Sequence, residues 1–358
     1  RRRRQRALMR EAHRPAVAPP RLRPVEPGAD ENVYLRTYLG PFATWLDEPD
    51  ITEILVNRPG EVWIERAGAA RMERHDVPAV DERLLERLAQ QIARISHQGV
   101  SRASPLLAAV LPNGARVQML LPSVTRGGIA LAMRKHVVND LSLDDYADMG
   151  AFQQTNVAPE PTPDTSAALR AARDRGELHG FLRDAVARRR TILISGGTSS
   201  GKTTLLNALL KEVPDHERVI LIEDTPEIKS ARDNLLGLTA ASGSEGAARV
   251  GVDDLMRASL RMRPDRLILG ELRGAETVAF LRAINTGHPG SLSTIHASTP
   301  EGAFEQLALM CLQANFGLSR RDTLLYAQSM IDIVVQLGRA DGRRAVEAVI
   351  ESREIVID

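Results

Sequence analysis

The run Gly196-Gly197-Thr198-Ser199-Ser200-Gly201-Lys202-Thr203 constrains this chain more than any other feature. It satisfies the phosphate-loop pattern G-x-x-x-x-G-K-[ST] in full. The context narrows the fold further. Thr191-Ile192-Leu193-Ile194-Ser195 reads as a buried strand, and Thr204-Leu205-Leu206-Asn207-Ala208-Leu209-Leu210 reads as a helix. Glycines let backbone N–H groups curl around phosphate oxygens, and the helix N-terminus adds its positive dipole end. Lys202 supplies a mobile point charge for β- and γ-phosphates, and Thr203 offers a hydroxyl to Mg²⁺. The cofactor-binding set is therefore Gly196 to Thr203 with Thr204 behind it. A GTPase base-reading N-K-x-D pattern is absent from the sequence, which favours ATP.

The surrounding rhythm is that of an α/β chain. Strand-length apolar runs at 191–195, 219–223, 266–270 and 291–296 alternate with helical patterns at 203–212, 252–262, 275–286 and 300–315. Such alternation predicts βαβ units and a mostly parallel sheet over residues 166–358. The N-terminal half has a different grammar. Strands are expected at 51–56 and 61–65 around the turn Arg58-Pro59-Gly60. Asp81 is placed to cap a helix carrying Leu84, Leu85, Leu88, Ile92 and Ile95. Asn113-Gly114 marks a hairpin between strands 106–111 and 115–121, followed by a strand over 128–134. This predicts an α+β domain over 31–139 with an antiparallel sheet. Residues 140–165 lose periodicity and contain Pro159, Pro161 and Pro163, so they read as a linker.

Hydrolysis needs a carboxylate for the attacking water and cations against the developing charge. Arg266-Leu267-Ile268-Leu269-Gly270-Glu271 ends an apolar strand on a carboxylate, and ligands gather at the C-terminal ends of parallel strands. Glu271 is therefore the first candidate base, ahead of Glu223 and Glu227 after the strand at 219–223. Nucleotide hydrolases commonly carry Asp before that Glu; Gly270 stands there instead. The metal must then be held mainly by Thr203, phosphate oxygens and water. His296 ends the next strand, on the ligand edge, where it could donate to a γ-phosphate oxygen. His288 is either a hydrogen-bonded turn residue or a direct participant. Arg257, Arg261, Arg263 and Arg266 crowd one helix and turn; they form either an ordinary ion-paired surface or an arginine finger for a neighbouring subunit.

Bulk composition excludes some classes. Net charge is +1 and aromatics are 3% of the chain, against the basic excess and stacking platforms of a general nucleic-acid binder. No direct sequence-specific nucleic-acid binding is expected. The lone Cys311 sits in an apolar helical pattern and excludes a four-cysteine zinc site. No apolar run approaches the roughly 18 residues of a membrane span, and no signal-peptide core follows the start, so a cytoplasmic location is expected. Residues 1–30 read as a basic, Pro-rich flexible arm, beginning Arg1-Arg2-Arg3-Arg4. It is either a solvated tail or a contact for anionic lipid.

Taken together, the phosphate loop, the acidic box Ile222 to Glu227, Leu269-Gly270-Glu271-Leu272-Arg273 and the histidine box 286–297 resemble the hexameric secretion ATPases. That group comprises type IV secretion traffic ATPases, type II secretion motors and type IV pilus motors, and the resemblance covers about residues 35–340. The traffic-ATPase branch of type IV secretion and conjugation is the most similar. It shares Leu260-Arg261-Met262-Arg263-Pro264-Asp265-Arg266, Leu111 to Val117 and Ala132-Met133-Arg134-Lys135. The resemblance implies a RecA-like C-terminal domain, a PAS-like N-terminal domain, ATP and Mg²⁺ between them, and a homohexameric ring. It also implies that Arg116 and Arg134 reach the phosphates and that Arg263 acts at the subunit boundary. The implied partners are inner-membrane secretion components and the coupling ATPase, with peripheral association at the inner membrane. Gly270 fits the pattern of this group, whereas Ser199 departs from it, since glycine is common there. A pilus-assembly motor with the same chemistry is the alternative, and an ATP-binding assembly module or a small-molecule kinase stands further off.

Overall fold

Parallel strands require crossover connections, while antiparallel ones close through tight turns, and the chain uses each regime in one half. A computed structural model describes residues 29–135, 142–148, 150, 165–241, 249–340 and 343–356. Nearly all of the arm expected at 1–30, and most of the linker expected at 140–165, lie outside the described residues. Helix α4 (Leu143–Asp148) falls within the latter range.

The N-terminal half opens with α1 (Ala29–Leu39), a short 3₁₀ turn and α2 (Ala43–Asp47). Six antiparallel strands follow: β1 (Ile51–Val56), β2 (Glu61–Arg66), β3 (Glu73–Asp76), β4 (Leu106–Val110), β5 (Arg116–Leu120) and β6 (Ala130–Arg134). Their order across the sheet is β3-β2-β1-β6-β5-β4. Helix α3 (Glu82–Ile95) is capped as the sequence predicts, Asp81 Oδ1 accepting from the Leu84 amide at 2.7 Å. The Asn113-Gly114 turn closes β4 on β5, with Gly114 at φ 84° and the Ala115 amide donating to Asn113 Oδ1 at 3.1 Å.

The four inner strands of this sheet are buried on both faces. Ile54, Val62, Ile64, Met119, Leu131 and Met133 pack with Leu85, Leu88 and Ile92 of α3. Their alternating neighbours Leu55, Trp63, Leu120, Ala130 and Ala132 join the apolar cluster of the C-terminal half.

That half contains α5 (Thr165–Asp174), α6 (Leu178–Ala187), β7 (Ile192–Gly196), α7 (Lys202–Lys211), β8 (Val219–Glu223), β9 (Leu235–Thr239), α8 (Val252–Ser259), β10 (Arg266–Leu272), α9 (Glu276–Asn285), β11 (Leu292–Ile295), α10 (Pro300–Gln313), α11 (Arg320–Met330), β12 (Ile333–Ala340) and β13 (Arg343–Glu351). The strand order is β13-β12-β7-β11-β10-β8-β9, parallel throughout except for the β12–β13 hairpin. Helices cover both faces: Val219 and Leu221 pack with α6 and α7, while Ile220 and Ile222 pack with α8 to α11. The chain is thus a mixed α/β structure with two sheets. Cys311 is buried in this core, and burial pushes its thiol up to about 11.

The two halves are also joined by polar contacts. The Thr239 amide donates to Val124 O at 2.9 Å and the Arg126 amide to Gly237 O at 3.1 Å, so Thr125 forms an isolated antiparallel bridge to Leu238 of β9. At the other end of β8, the fully buried Arg218 donates to Met262 O, Asn57 Oδ1 and Asn234 Oδ1 at 2.9, 2.5 and 2.8 Å. No carboxylate oxygen touches its guanidinium among these contacts, and burial pulls its pKa down to about 10.

Because Leu55 packs between the halves rather than under α3, Leu55→Ala should cost about 2–5 kcal/mol, the range for emptying a buried leucine site. A lowered denaturant midpoint in chemical unfolding checks this; an unchanged midpoint would contradict the two-sided burial.

Candidate nucleotide site

Four neighbouring parallel strands end at one edge, and each carries a sequence-singled residue there. Gly196 ends β7 and leads into the phosphate loop, Glu223 ends β8, Glu271 lies near the end of β10, and His296 follows β11. The loop backbone is shaped for a close approach. Gly201 has φ 100°, and a Cβ on Gly196 would lie 2.5 Å from Ser200 Oγ and 2.8 Å from Leu337 O. Ser199 takes φ 62°, a left-handed conformation that costs an L-residue with a side chain roughly 1 kcal/mol. That is the physical content of its departure from glycine.

Lys202 starts α7 with its ammonium turned into the loop, donating to Gly196 O and Gly197 O at 2.9 and 3.0 Å. His296 Nδ1 lies 3.2 Å from the same ammonium. His296 Nε2 in turn lies 2.8 Å from Glu271 Oε1. The Lys202 ammonium lies against both ring nitrogens, Nε2 at 3.4 Å, and Glu271 Oε1 stays buried without a hydrogen-bond partner of its own. Arg273 Nε donates to Glu271 Oε2 at 2.7 Å, and its Nη1 reaches Asp224 at 3.4 Å. Glu271 owes its placement to a slip in the β10–β11 ladder between Leu269 and Leu272, which re-aims the side chain; Thr294 Oγ1 donates to Gly270 O at 2.8 Å beside it.

The acidic box lies alongside. Glu223 is buried, and its Oε1 accepts from the Glu227 and Ile228 amides at 3.0 Å each. Glu227 Oε2 accepts from Thr203 Oγ1 at 3.1 Å. Gly270 is explained by this crowding: a Cβ there would sit 3.0 Å from Glu223 Cγ. The ground that an aspartate at 270 would occupy is already taken by the acidic box.

These residues fit a nucleoside triphosphate. Ser200 Oγ is buried without a partner at the loop, Lys202 faces the loop interior, and the first amides of α7 lack intrahelical partners by geometry. Gly197, Thr198 and Ser199 are exposed at the loop crest, and Thr204 is exposed on α7. Among the described residues no cluster of three or more His, Cys, Asp or Glu could hold a metal. A Mg²⁺ ion would rest on the Thr203 hydroxyl, phosphate oxygens and water.

The remaining arginines are placed differently. Arg116 and Arg134 are cross-strand neighbours on β5 and β6; Arg116 is exposed, and Arg134 pairs with buried Glu53 at 2.6 Å. Arg263, at φ 57°, is ion-paired to Glu65 and Asp265. Arg134 and Arg263 line one open cleft of about 480 Å³ with Pro264, Asp265 and His288. This cleft lies where β10 and β11 begin, the edge opposite the phosphate loop, so neither arginine meets the Lys202 loop of its own chain. His288 Nδ1 donates to Pro264 O at 3.1 Å there, and burial lowers its pKa. Arg257 pairs with Asp253 on the surface of α8 at 2.8 Å. Arg266, grouped with it in the sequence, is instead fully buried on Glu217.

No motif in the sequence marks Arg126. It reaches the acidic box from the N-terminal half, ion-paired to Glu223 and donating to Ile228 O at 3.1 Å. Arg339 and Arg344, on the β12–β13 hairpin, were equally unmarked; Arg339 Nη2 reaches Ser199 O at 3.4 Å, and the Arg344 side chain lies over Gly201.

The chain matches a family profile described as type II/IV secretion system protein over residues 37–352. The type IV secretion system protein VirB11 of Bartonella henselae is 36% identical over 330 residues, covering 88% of this chain and 92% of that protein. PtlH, a type IV secretion system protein of Bordetella pertussis, is 37% identical over 86% of this chain and 91% of its own length. The crystal structure of the VirB11 ATPase from the Brucella suis type IV secretion system, in complex with sulphate, superposes with a TM-score of 0.84. It is 35% identical and covers 90% of this chain and 96% of that one.

Burial lowers the pKa of Lys202, the nearby Glu271 opposing and Arg273 reinforcing the shift. The charged form that attracts phosphate is present at low pH and is lost as pH rises through this lowered value. Triphosphate affinity should therefore decline on the alkaline side earlier than for an ordinary lysine. Equilibrium titrations across pH check this, with Lys202→Ala expected to remove the dependence together with most of the binding.

Proposed function

This chain belongs to the type II/IV secretion system protein family, and on that premise we propose that it is the ATP-hydrolysing motor of a type IV secretion system. The observation that carries the reading is the continuous contact Lys202–His296–Glu271 at the mouth of the phosphate loop. We assign the C-terminal half to a RecA-like ATPase domain and the N-terminal half to a PAS-like domain. A Mg²⁺ bound with ATP would be held by the Thr203 hydroxyl and would supply positive charge against the charge developing on the phosphates. Gly196 to Thr204 bind the phosphates through backbone amides, with Lys202 as the mobile cation and Thr203 as the metal-side hydroxyl. Glu271 orients and deprotonates the attacking water. His296, beside Lys202 and Glu271, donates toward the γ-phosphate. Glu223 and Glu227 support Thr203.

Arg116, Arg134 and Arg263 act across a subunit boundary in this proposal. Arg134 and Arg263 lie at the sheet edge opposite their own phosphate loop, which supports a homohexameric ring in which one subunit's arginines serve the next subunit's nucleotide. Inner-membrane secretion components and the coupling ATPase are the proposed partners. No helix among the described residues is long and apolar enough to cross a membrane; the proposal places the ring peripherally on the cytoplasmic side of the inner membrane.

Two measurements test this. Glu271→Gln should bind ATP while turning over at least roughly tenfold more slowly, as loss of a general base requires; near wild-type turnover would remove Glu271 from the role. Specific ATPase activity of the wild type with Mg²⁺ should rise with protein concentration as rings assemble. A monomer, by sizing, that retains full activity would defeat the motor reading.

A further inference from the structure

We propose that Arg126 is a positioning residue of the nucleotide site, reaching from the N-terminal half to hold the acidic box so that Glu227 keeps the Thr203 hydroxyl oriented toward a divalent cation. The proposal rests on the ATPase reading and adds to it a residue that lies outside every motif.

The Arg126 backbone is fixed first. Residues 124–126 pair with β9 through the Thr239 amide on Val124 O and the Arg126 amide on Gly237 O, so the side chain starts from a defined point on the sheet edge. It then runs across Gly237, where a Cβ would lie 2.7 Å from Arg126 Cδ. The absence of a side chain at 237 makes the slot. From it the guanidinium reaches three groups: Thr239 Oγ1 at 3.4 Å, Ile228 O at 3.1 Å and the Glu223 carboxylate.

The other Glu223 oxygen accepts both the Glu227 and Ile228 amides. The segment 227–228 is therefore gripped from two sides, its amides by Glu223 and its Ile228 carbonyl by Arg126. Glu227 can then accept the Thr203 hydroxyl hydrogen at 3.1 Å. With that hydrogen committed, the Thr203 lone pairs are free to face a cation. No acidic or histidine cluster among the described residues offers a second hold, so the orientation of this one hydroxyl carries unusual weight. Removing the guanidinium would leave a Glu223 oxygen buried and unpaired, which is costly enough to shift the carboxylate and release both amides.

The test is equilibrium binding of a fluorescent ATP analogue across a Mg²⁺ titration, with a parallel measurement in EDTA. Arg126→Ala should raise the Mg²⁺ midpoint roughly tenfold, the low end of the effect of disturbing the groups that orient a metal ligand, and leave metal-free binding unchanged. Gly237→Ala should do the same with Arg126 still present, because the new methyl displaces it from the slot; this variant decides the matter if Arg126→Ala fails to fold. Asn57→Ala loosens the junction of the two halves at the opposite end of β8, and its Mg²⁺ midpoint should match the wild type. Wild-type midpoints in Arg126→Ala or in folded Gly237→Ala would overturn the proposal while leaving the ATPase reading intact. An equal shift in Asn57→Ala would also overturn it, since any loosening of the halves would then suffice. A wild-type chain that binds no nucleotide under either condition would overturn the ATPase reading itself, and this proposal with it.

Discussion

Parallel strands cannot be joined by tight turns, and that constraint organises the site. Each of β7, β8, β10 and β11 returns through a crossover before the next begins, so their C-terminal ends collect on one edge. The phosphate loop, Glu223, Glu271 and His296 come from widely separated stretches and meet because of it. Within that edge the chemistry is assembled by short polar contacts: Lys202 to His296, His296 to Glu271, Thr203 to Glu227. The same constraint collects the N-terminal strand ends at the far edge, where Arg218 and Arg266 are buried.

Much of this was legible because the motif-bearing strands are buried on both faces and read as unbroken apolar runs. The runs expected at 51–56 and 219–223 coincide with β1 and β8. Other elements gave weaker signals for physical reasons. Strand β9 is short and interrupted by Gly237, which reads as a turn until the side chain crossing it is seen. Strand β13 carries four charged residues among its nine and is mostly exposed or half-buried, since it pairs at the sheet margin. Helix α8 stops at Ser259, short of the expected 262, because the chain must turn through Met262 and Arg263 to reach β10.

Single side chains were harder to read than elements. Arg126 lies in a polar loop beside Gly127 and Gly128, where composition signals only a turn, and its partner Glu223 is far along the chain. Arg263 read as either a surface ion pair or a reach toward a neighbour. Its observed partner Glu65 comes from the other half of the chain, a pairing that no local pattern encodes. The lesson is specific: residues acting on the backbone of their own element leave a motif, whereas residues acting across elements leave only an unexplained charge.

The bridge that Thr125 makes to β9 bears on biosynthesis. An uncapped outer strand offers unpaired amides and carbonyls to any passing chain and is a site for misassembly. β9 would be such a strand if it folded alone. The ribosome delivers the N-terminal half first, and domains tend to fold in that order. The segment that pairs with Gly237 and Thr239 is therefore already built when β9 emerges, and part of the outer edge finds a partner in its own chain.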